Sequence, residues 1–161
     1  MIGGGRDCTI ENNIFVDCLP ATYVDARGLG WAAYEVDVLR SSLRAMPYTD
    51  TVWSKRYPKL VDILDDDPMA PKGNVIARNI CVGGKWDDIE PKARPLVTFQ
   101  DNLLGQDPHF LNAAELNFQL AQNSPAFKLG FKRIPIEKIG PYKDADRAAW
   151  PMRHTVRPPT K

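Results

Sequence analysis

Three stretches share one pattern of apolar and polar positions: Thr9-Ile10-Glu11-Asn12-Asn13-Ile14-Phe15-Val16, Val75-Ile76-Ala77-Arg78-Asn79-Ile80-Cys81-Val82 and Thr98-Phe99-Gln100-Asp101-Asn102-Leu103-Leu104. Each reads as a β-former, an apolar residue, a polar step ending in Asn, and a further apolar residue. Asn13 and Asn79 are 66 positions apart and Asn79 and Asn102 are 23 apart. Such intervals suit a solenoid with turns of roughly 20–25 residues, one of which carries an insertion. A strand alternates faces with period two, so a bend must follow Ile10 if Ile14 and Val16 are to reach the same interior. Asn can supply that bend, because its short amide bonds locally to the backbone and tolerates the left-handed conformation. In stacked coils the amides would also meet as a ladder along the axis. An antiparallel sheet with Asn at its hairpins is the alternative, but the Asn-Gly and Asp-Gly pairs that favour tight hairpins do not occur.

The period changes between the first and second repeats. Val36, Leu39, Leu43 and Met46 fall on one helical stripe that Pro47 ends. A second helical segment is expected over Thr51 to Tyr57, with Trp53 and Tyr57 four apart on a face turned to the solenoid. Pro58 is expected to open a third through Leu60, Val61, Ile63 and Leu64. The whole reads as a helical insertion at about 35–67, packed on the flank of the coils, where repeat proteins often build binding surfaces. After the third repeat, Phe110-Leu111-Asn112 is a short apolar segment, Asn117-Phe118-Gln119-Leu120 alternates as a strand, and Ser124-Pro125 breaks it. The division is therefore coils over 1–130 and a capping tail over 131–161, in which Ile134, Ile136 and Ile139 need burial and the last residues fray.

The chain has 161 residues, 43% of them apolar, enough for one domain with a real core. Twenty-one basic against twenty acidic residues give a formal charge of +1. That balance offers no electrostatic footprint for nucleic acid or for an anionic membrane, and no stretch approaches the roughly 20 apolar residues of a membrane-spanning helix. Cys8, Cys18 and Cys81 form an odd set without short paired spacing, which reads as small hydrophobes inside the coils. The amino terminus shows no secretory pattern and enters a repeat without a capping helix. The expectation is the carboxy-terminal part of a longer protein, or self-association (a homo-dimer) through the open first coil.

The run from Asp107 to Gly130, with Asp107-Pro108, Phe110, Asn117-Phe118, Leu120, Ser124-Pro125-Ala126 and Gly130, resembles the closing segment of right-handed parallel β-helix proteins of the pectin-lyase-like superfamily. Gly5-Arg6-Asp7 with Ile10 to Phe15, Asp25-Ala26-Arg27-Gly28, Pro71-Lys72-Gly73-Asn74 and Phe127 to Phe131 with Ile134-Pro135 resemble the carboxy-terminal part of β-helical glycoside hydrolases of the fucosidase and xylanase kind. The resemblance implies a mainly β solenoid, a polysaccharide or oligosaccharide as partner, a secreted or periplasmic parent, and no cofactor.

Glycoside hydrolysis asks for two carboxyl groups, one protonated and one ionised. The best candidate here is Asp25, set in Tyr23-Val24-Asp25-Ala26-Arg27-Gly28-Leu29-Gly30-Trp31. Asp25 is the catalytic candidate, Arg27 and Trp31 the sugar-binding ones, since a carboxylate and a guanidinium bond hydroxyls and an indole offers a flat apolar face. A buried Asp25–Arg27 ion pair fixing the root of the insertion is the structural alternative. Trp86, after Gly83-Gly84-Lys85, is a further sugar-binding candidate as an exposed ring at a coil turn. Glu35 and Asp37 suit the first turn of a helix, Asp65-Asp66-Asp67 a solvated acidic run rather than calcium ligands, and His109 and His154 polar surface. A polysaccharide lyase would instead need a basic residue beside a uronate, with Arg27, Arg78 and Lys85 available. A non-catalytic glycan-binding or structural β-helix piece is the reading from another class.

Overall fold

The computed structural model describes residues 1–139 and Asp146. The protein is mainly β, with parallel sheets and few helices. Strands β1 (Ile2–Gly3), β2 (Thr9–Glu11), β3 (Ile14–Val16) and β4 (Thr22–Asp25) precede a helical excursion; β5 (Asn74–Ala77), β6 (Ile80–Val82), β7 (Asp87–Ile89), β8 (Val97–Gln100) and β9 (Leu103–Leu104) follow it. They form three three-stranded sheets, ordered β1-β4-β7, β2-β5-β8 and β3-β6-β9. Every pair in them is parallel, so the antiparallel hairpin alternative does not hold for the repeats. Ile10 pairs with Ile76 and Ile76 with Phe99. The three expected rungs therefore stand in one register although a long excursion separates the first two.

The polar step at each repeat is more divided than the sequence suggests. Asn12, Arg78 and Asp101, the residues before the shared Asn, take the left-handed bend with φ of 60°, 50° and 51°. The Asn that follows is released to use its amide. Asn13 N–H and Nδ2 both donate to Asn79 Oδ1, at 3.0 and 2.9 Å, and Asn79 N–H and Nδ2 both donate to Asn102 Oδ1, at 3.0 Å each. Asn79 Nδ2 also donates to Ile10 O at 2.9 Å, and Asn102 Nδ2 to Ile76 O at 2.8 Å. Asn74, which carries no repeat signal, acts similarly: its Oδ1 accepts from Cys8 N–H at 2.9 Å and its Nδ2 donates to Gly5 O and Pro71 O at 2.8 Å. Both Asn74 and Asn79 are fully buried, and their hydrogen bonds are what make that burial tolerable.

Two cores result, and the bend separates them. Ile2, Val24, Ala26, Ile76 and Ala93 form the first, with Ile10, Ile89, Val97 and Phe99 packed against it. Ile80, Leu103, Leu120, Ala126 and Phe131 form the second, with Ile14, Val82 and Phe110. Ile14 thus leaves the core that Ile10 enters, contrary to the expected shared interior, because the polar step reverses the parity of the strand. Ile14, Ile80 and Leu103 lie under the carboxy-terminal segments instead. Phe15 turns to Trp86, whose ring meets those of Phe15 and Phe99 edge-on at 6.3 and 6.4 Å between centroids. Trp86 is therefore a half-buried part of the first core and not an exposed turn residue. Cys81 is buried and Cys8 and Cys18 are half-buried; burial pushes the Cys81 thiol up.

The excursion between Asp25 and Asn74 is wider than the 35–67 expected. It contains α1 (Val36–Arg44) and α2 (Thr51–Arg56). The expected third helix is two separate 3-10 turns, Pro58–Leu60 and Ile63–Asp65. Leu43 is buried, whereas Met46 at the end of the stripe is exposed. Asp37 pairs with Arg40 at 3.4 Å, and Glu35 makes no side-chain cap. Asp66 and Asp67 bond Lys72 at 2.6 and 2.7 Å, and Asp66 also bonds Arg6, so the acidic run is partly neutralised. Lys72 and then Arg6 hold the Asp66 carboxyl below its ordinary range.

Beyond β9, β10 (Phe110–Asn112) and β11 (Asn117–Leu120) form an antiparallel pair, supplying the partner that the alternating segment needed. The tail then crosses to the first repeat, where Lys132 N–H donates to Asn12 Oδ1 at 2.6 Å and Asn12 Nδ2 returns a bond to Lys132 O at 3.0 Å. Ile134 packs on the second core. Ile139 is exposed, against expectation. His109 is held by the Asp107 side chain through its backbone N–H at 2.8 Å. His154 and the rest of the expected cap beyond Ile139 lie outside the described residues, Asp146 excepted.

Candidate functional site

Alternation along β4 decides which way its side chains point. Val24 is fully buried in the first core, and Ile2 and Ile89, its neighbours in register, pack with it. Tyr23 and Asp25 therefore occupy the opposite face of the β1-β4-β7 sheet. In register with them are Gly3, beside Asp25, and Asp88, beside Tyr23. Glu90 continues β7 by one residue: its N–H donates to Val24 O at 2.9 Å, which sets it beside Asp25 on the neighbouring strand.

Asp25, Arg27 and Trp31 come together as the sequence suggested. Arg27 Nε lies 3.0 Å from both Asp25 oxygens, Nη2 donates to Oδ2 at 2.5 Å, and the Arg27 backbone N–H donates to Oδ1 at 3.2 Å. The guanidinium lies over β1, where a Cβ on Gly3 would stand 2.6 Å from Arg27 Nη2. A side chain there would have to displace the guanidinium from its place on Asp25. Arg27 Cζ is 5.7 Å from the centroid of the Trp31 ring, which is 70% exposed. Asp25, by contrast, is buried beneath the guanidinium. The ion-pair alternative is thus realised, and it leaves an open indole and a partly open guanidinium at the surface.

Electrostatics follow from this geometry. The Arg27 hydrogen bonds hold the Asp25 carboxyl below the ordinary carboxylate range, against the opposing effect of its burial. Asp25 is consequently a fixed anion and not a proton donor. The Tyr23 phenol is pushed up, first by burial and then by the carboxylates of Glu90, Asp25 and Asp88, so it stays protonated and keeps its O–H as a donor. Glu90 Oε2 accepts from Ala26 N–H at 2.9 Å, and Asp88 pairs with Lys85 at 3.1 Å.

The pair has a testable signature in acid. Asp25 titrates lower in the folded than in the unfolded chain, so its contribution is present above about pH 4 and is lost as pH falls through the lowered folded value. Replacing Asp25 by Asn is expected to cost about 1–2 kcal/mol at pH 7, discounted for the solvated side of Arg27. The gap to the parent protein should then narrow below about pH 4. Urea titrations from neutral to acid pH check this, and a gap independent of pH would remove the ionised pair from the account.

Glu90 and Tyr23 are the site residues that the sequence reading missed. The signal for Glu90 would have been the β4–β7 register, which needs the 22–25 and 87–89 stretches to be recognised as equivalent. Neither carries the Asn pattern. Trp86, expected here, belongs to the core. Among the described residues there is no cluster of three or more His, Cys, Asp or Glu side chains able to hold a metal ion, and no helix is long and apolar enough to cross a membrane. Compared with family models, curated proteins and solved structures, the chain finds no match.

Proposed function

We propose that this chain folds as turns of a right-handed parallel β-helix of the pectin-lyase-like kind and belongs to a carbohydrate-active enzyme, a glycoside hydrolase acting on a polysaccharide. Three parallel sheets with one shared strand order and a continuous Asn ladder support the solenoid. The observation that carries the activity is the outward row of the β1-β4-β7 sheet, where Asp25 and Glu90 start from neighbouring strands beside Arg27, Tyr23 and Trp31. Paired strands are about 4.8 Å apart, so both carboxyl side chains rise from adjacent positions of one sheet face, as a glycosidase pair requires. Asp25, held ionised beneath Arg27, suits a fixed charge that stabilises an oxocarbenium-like transition state through the site rather than an attacking group. Glu90, with one oxygen on Ala26 N–H, has a second oxygen to exchange a proton with the leaving group. Trp31 and the Tyr23 hydroxyl would orient the sugar.

The test is release of reducing ends from xylan, fucosylated oligosaccharides and polygalacturonate. Glu90→Gln should lower turnover by about 10²–10⁴-fold, the usual weight of a general acid, with Trp31 fluorescence still responding to the sugar. Cleavage unchanged in Glu90→Gln would remove the carboxylate pair. Products carrying unsaturated uronate ends would assign the chain to the lyases instead. The second reading, a glycan-binding solenoid without catalysis, is favoured by the four bonds that Arg27 makes to Asp25; sugar-dependent quenching without any product would select it.

A further inference from the structure

A further cleft lies away from Asp25, at the foot of the excursion. It encloses about 470 Å³ between the Arg6-Asp7 loop and the segment from Arg56 to Ile63, within the usual range of small-ligand clefts. Its wall is apolar, made by Tyr57, Pro58, Leu60 and Ile63, and its rim is charged, made by Arg6, Asp7, Arg56 and Lys59. We propose that this cleft is a second sugar subsite that binds a residue of the same glycan chain as the Trp31 face. The inference rests on the carbohydrate reading above and adds to it the length of the ligand.

Three features support a sugar as the occupant. First, several rim charges are held in pairs: Lys59 Nζ meets Asp7 Oδ1 at 2.6 Å, and Arg6 donates to the carboxylate of Asp66 and, at 2.8 Å, to its backbone carbonyl. Such a rim offers donors and acceptors held in place, as the hydroxyl groups of a sugar or the carboxylate of a uronate require. Second, Tyr57 stands in the cleft half exposed, its ring steadied by Trp53 at 5.8 Å between centroids. An open aromatic face beside paired polar groups suits a ring that is apolar on its faces and polar at its edge.

Third, the cleft continues the first site. Arg27 lies on Gly3 and Gly4, and Arg6 follows Gly4 by two residues, at most about 7.6 Å along the backbone. Arg6 is itself fixed, donating to Asp67 O and Ala70 O at 3.0 and 3.3 Å. The short segment from Gly3 to Asp7 therefore connects the two places, and a chain of several sugars following it would run from Trp31 towards Tyr57. Shorter ligands would sit on the Trp31 face and not reach the cleft.

Affinity should consequently grow with chain length and should do so through Tyr57 and Lys59. The probes are matched disaccharides and hexasaccharides of β-1,4-xylose and of α-1,4-galacturonate, titrated calorimetrically against the full chain. In at least one series the hexasaccharide is expected to bind about tenfold or more tighter than the disaccharide. Tyr57→Ala and Lys59→Ala, both at exposed side chains, should abolish most of that gain and leave disaccharide binding within about twofold. Trp31→Ala should weaken both lengths. Equal affinity for the two lengths, or a gain that survives Tyr57→Ala, overturns the second subsite while leaving the Trp31 reading intact. Absence of binding by any probe overturns both.

Discussion

Asn79→Leu is expected to destabilise the protein by about 3–5 kcal/mol, a large share of the stability of a domain this size. The side chain is buried and central. Removing its amide strands the Asn13 N–H and takes one partner each from Asn13 Nδ2, which keeps Glu11 O, from Asn102 Oδ1, which keeps the Asn79 N–H, and from the carbonyl of Ile10, and each buried polar group left without a partner costs about 1–3 kcal/mol. Relaxation of the repeat edges keeps the total below the sum. Asn79→Asp separates the polar from the steric contribution. Its carboxylate still accepts from Asn13 but faces the oxygens of Asn102 and Ile10, so the variant should be least stable near neutral pH and recover in acid, as the carboxyl regains a proton to donate. Denaturant midpoints from pH 7 to pH 4 check both. A loss under about 1 kcal/mol for Asn79→Leu would mean that the ladder is ornament on a fold held by its cores.

Ile76→Ala is expected to cost about 3–4 kcal/mol, in the upper half of the range for large-to-small changes. Ile76 is fully buried in the first core, between Ile10 and Phe99 on its two neighbouring strands. Collapse into the cavity is opposed by backbone hydrogen bonds that fix the strand spacing on both sides. Phe99→Leu, at a half-buried position of the same rung, should cost much less. Guanidinium unfolding of the two variants gives the comparison, and equal losses would place the centre of the core elsewhere.

The ladder and the rungs were legible because both are properties of a local string: an apolar residue, a polar step and an Asn repeat in sequence as they repeat in space. What followed the step was not. Ile14 has the same hydrophobicity whichever side it faces, and only the left-handed bend at Asn12, not at Asn13, tells that it turns away from Ile10. Trp86 looked exposed because Gly83-Gly84 precedes it. Its burial depends on Phe15 and Phe99, far away in the chain, which leave a gap of indole size.

The site divides in the same way. Asp25, Arg27 and Trp31 lie within seven residues, so their chemistry could be read as a cluster. Glu90 joins them only through strand pairing, and Gly3 only because the Arg27 guanidinium lies over it. Neither requirement leaves a mark on its own stretch of sequence.

The two ends of the excursion are closely apposed at Gly28, where an added Cβ would stand 2.3 Å from the Met69 carbonyl oxygen. Between them the chain wanders through two helices and two 3-10 turns, yet Ile10 and Ile76 still pair as directly as Ile76 and Phe99. The excursion is thus a cassette that leaves and rejoins the stack at one socket, tied to it besides by Arg6 on Asp66 and Lys59 on Asp7, while the rungs on either side keep their register. Diversification of ligand preference on such a scaffold would be expected to proceed by swapping the cassette, with Gly28 and the Met69 backbone as the conserved clasp.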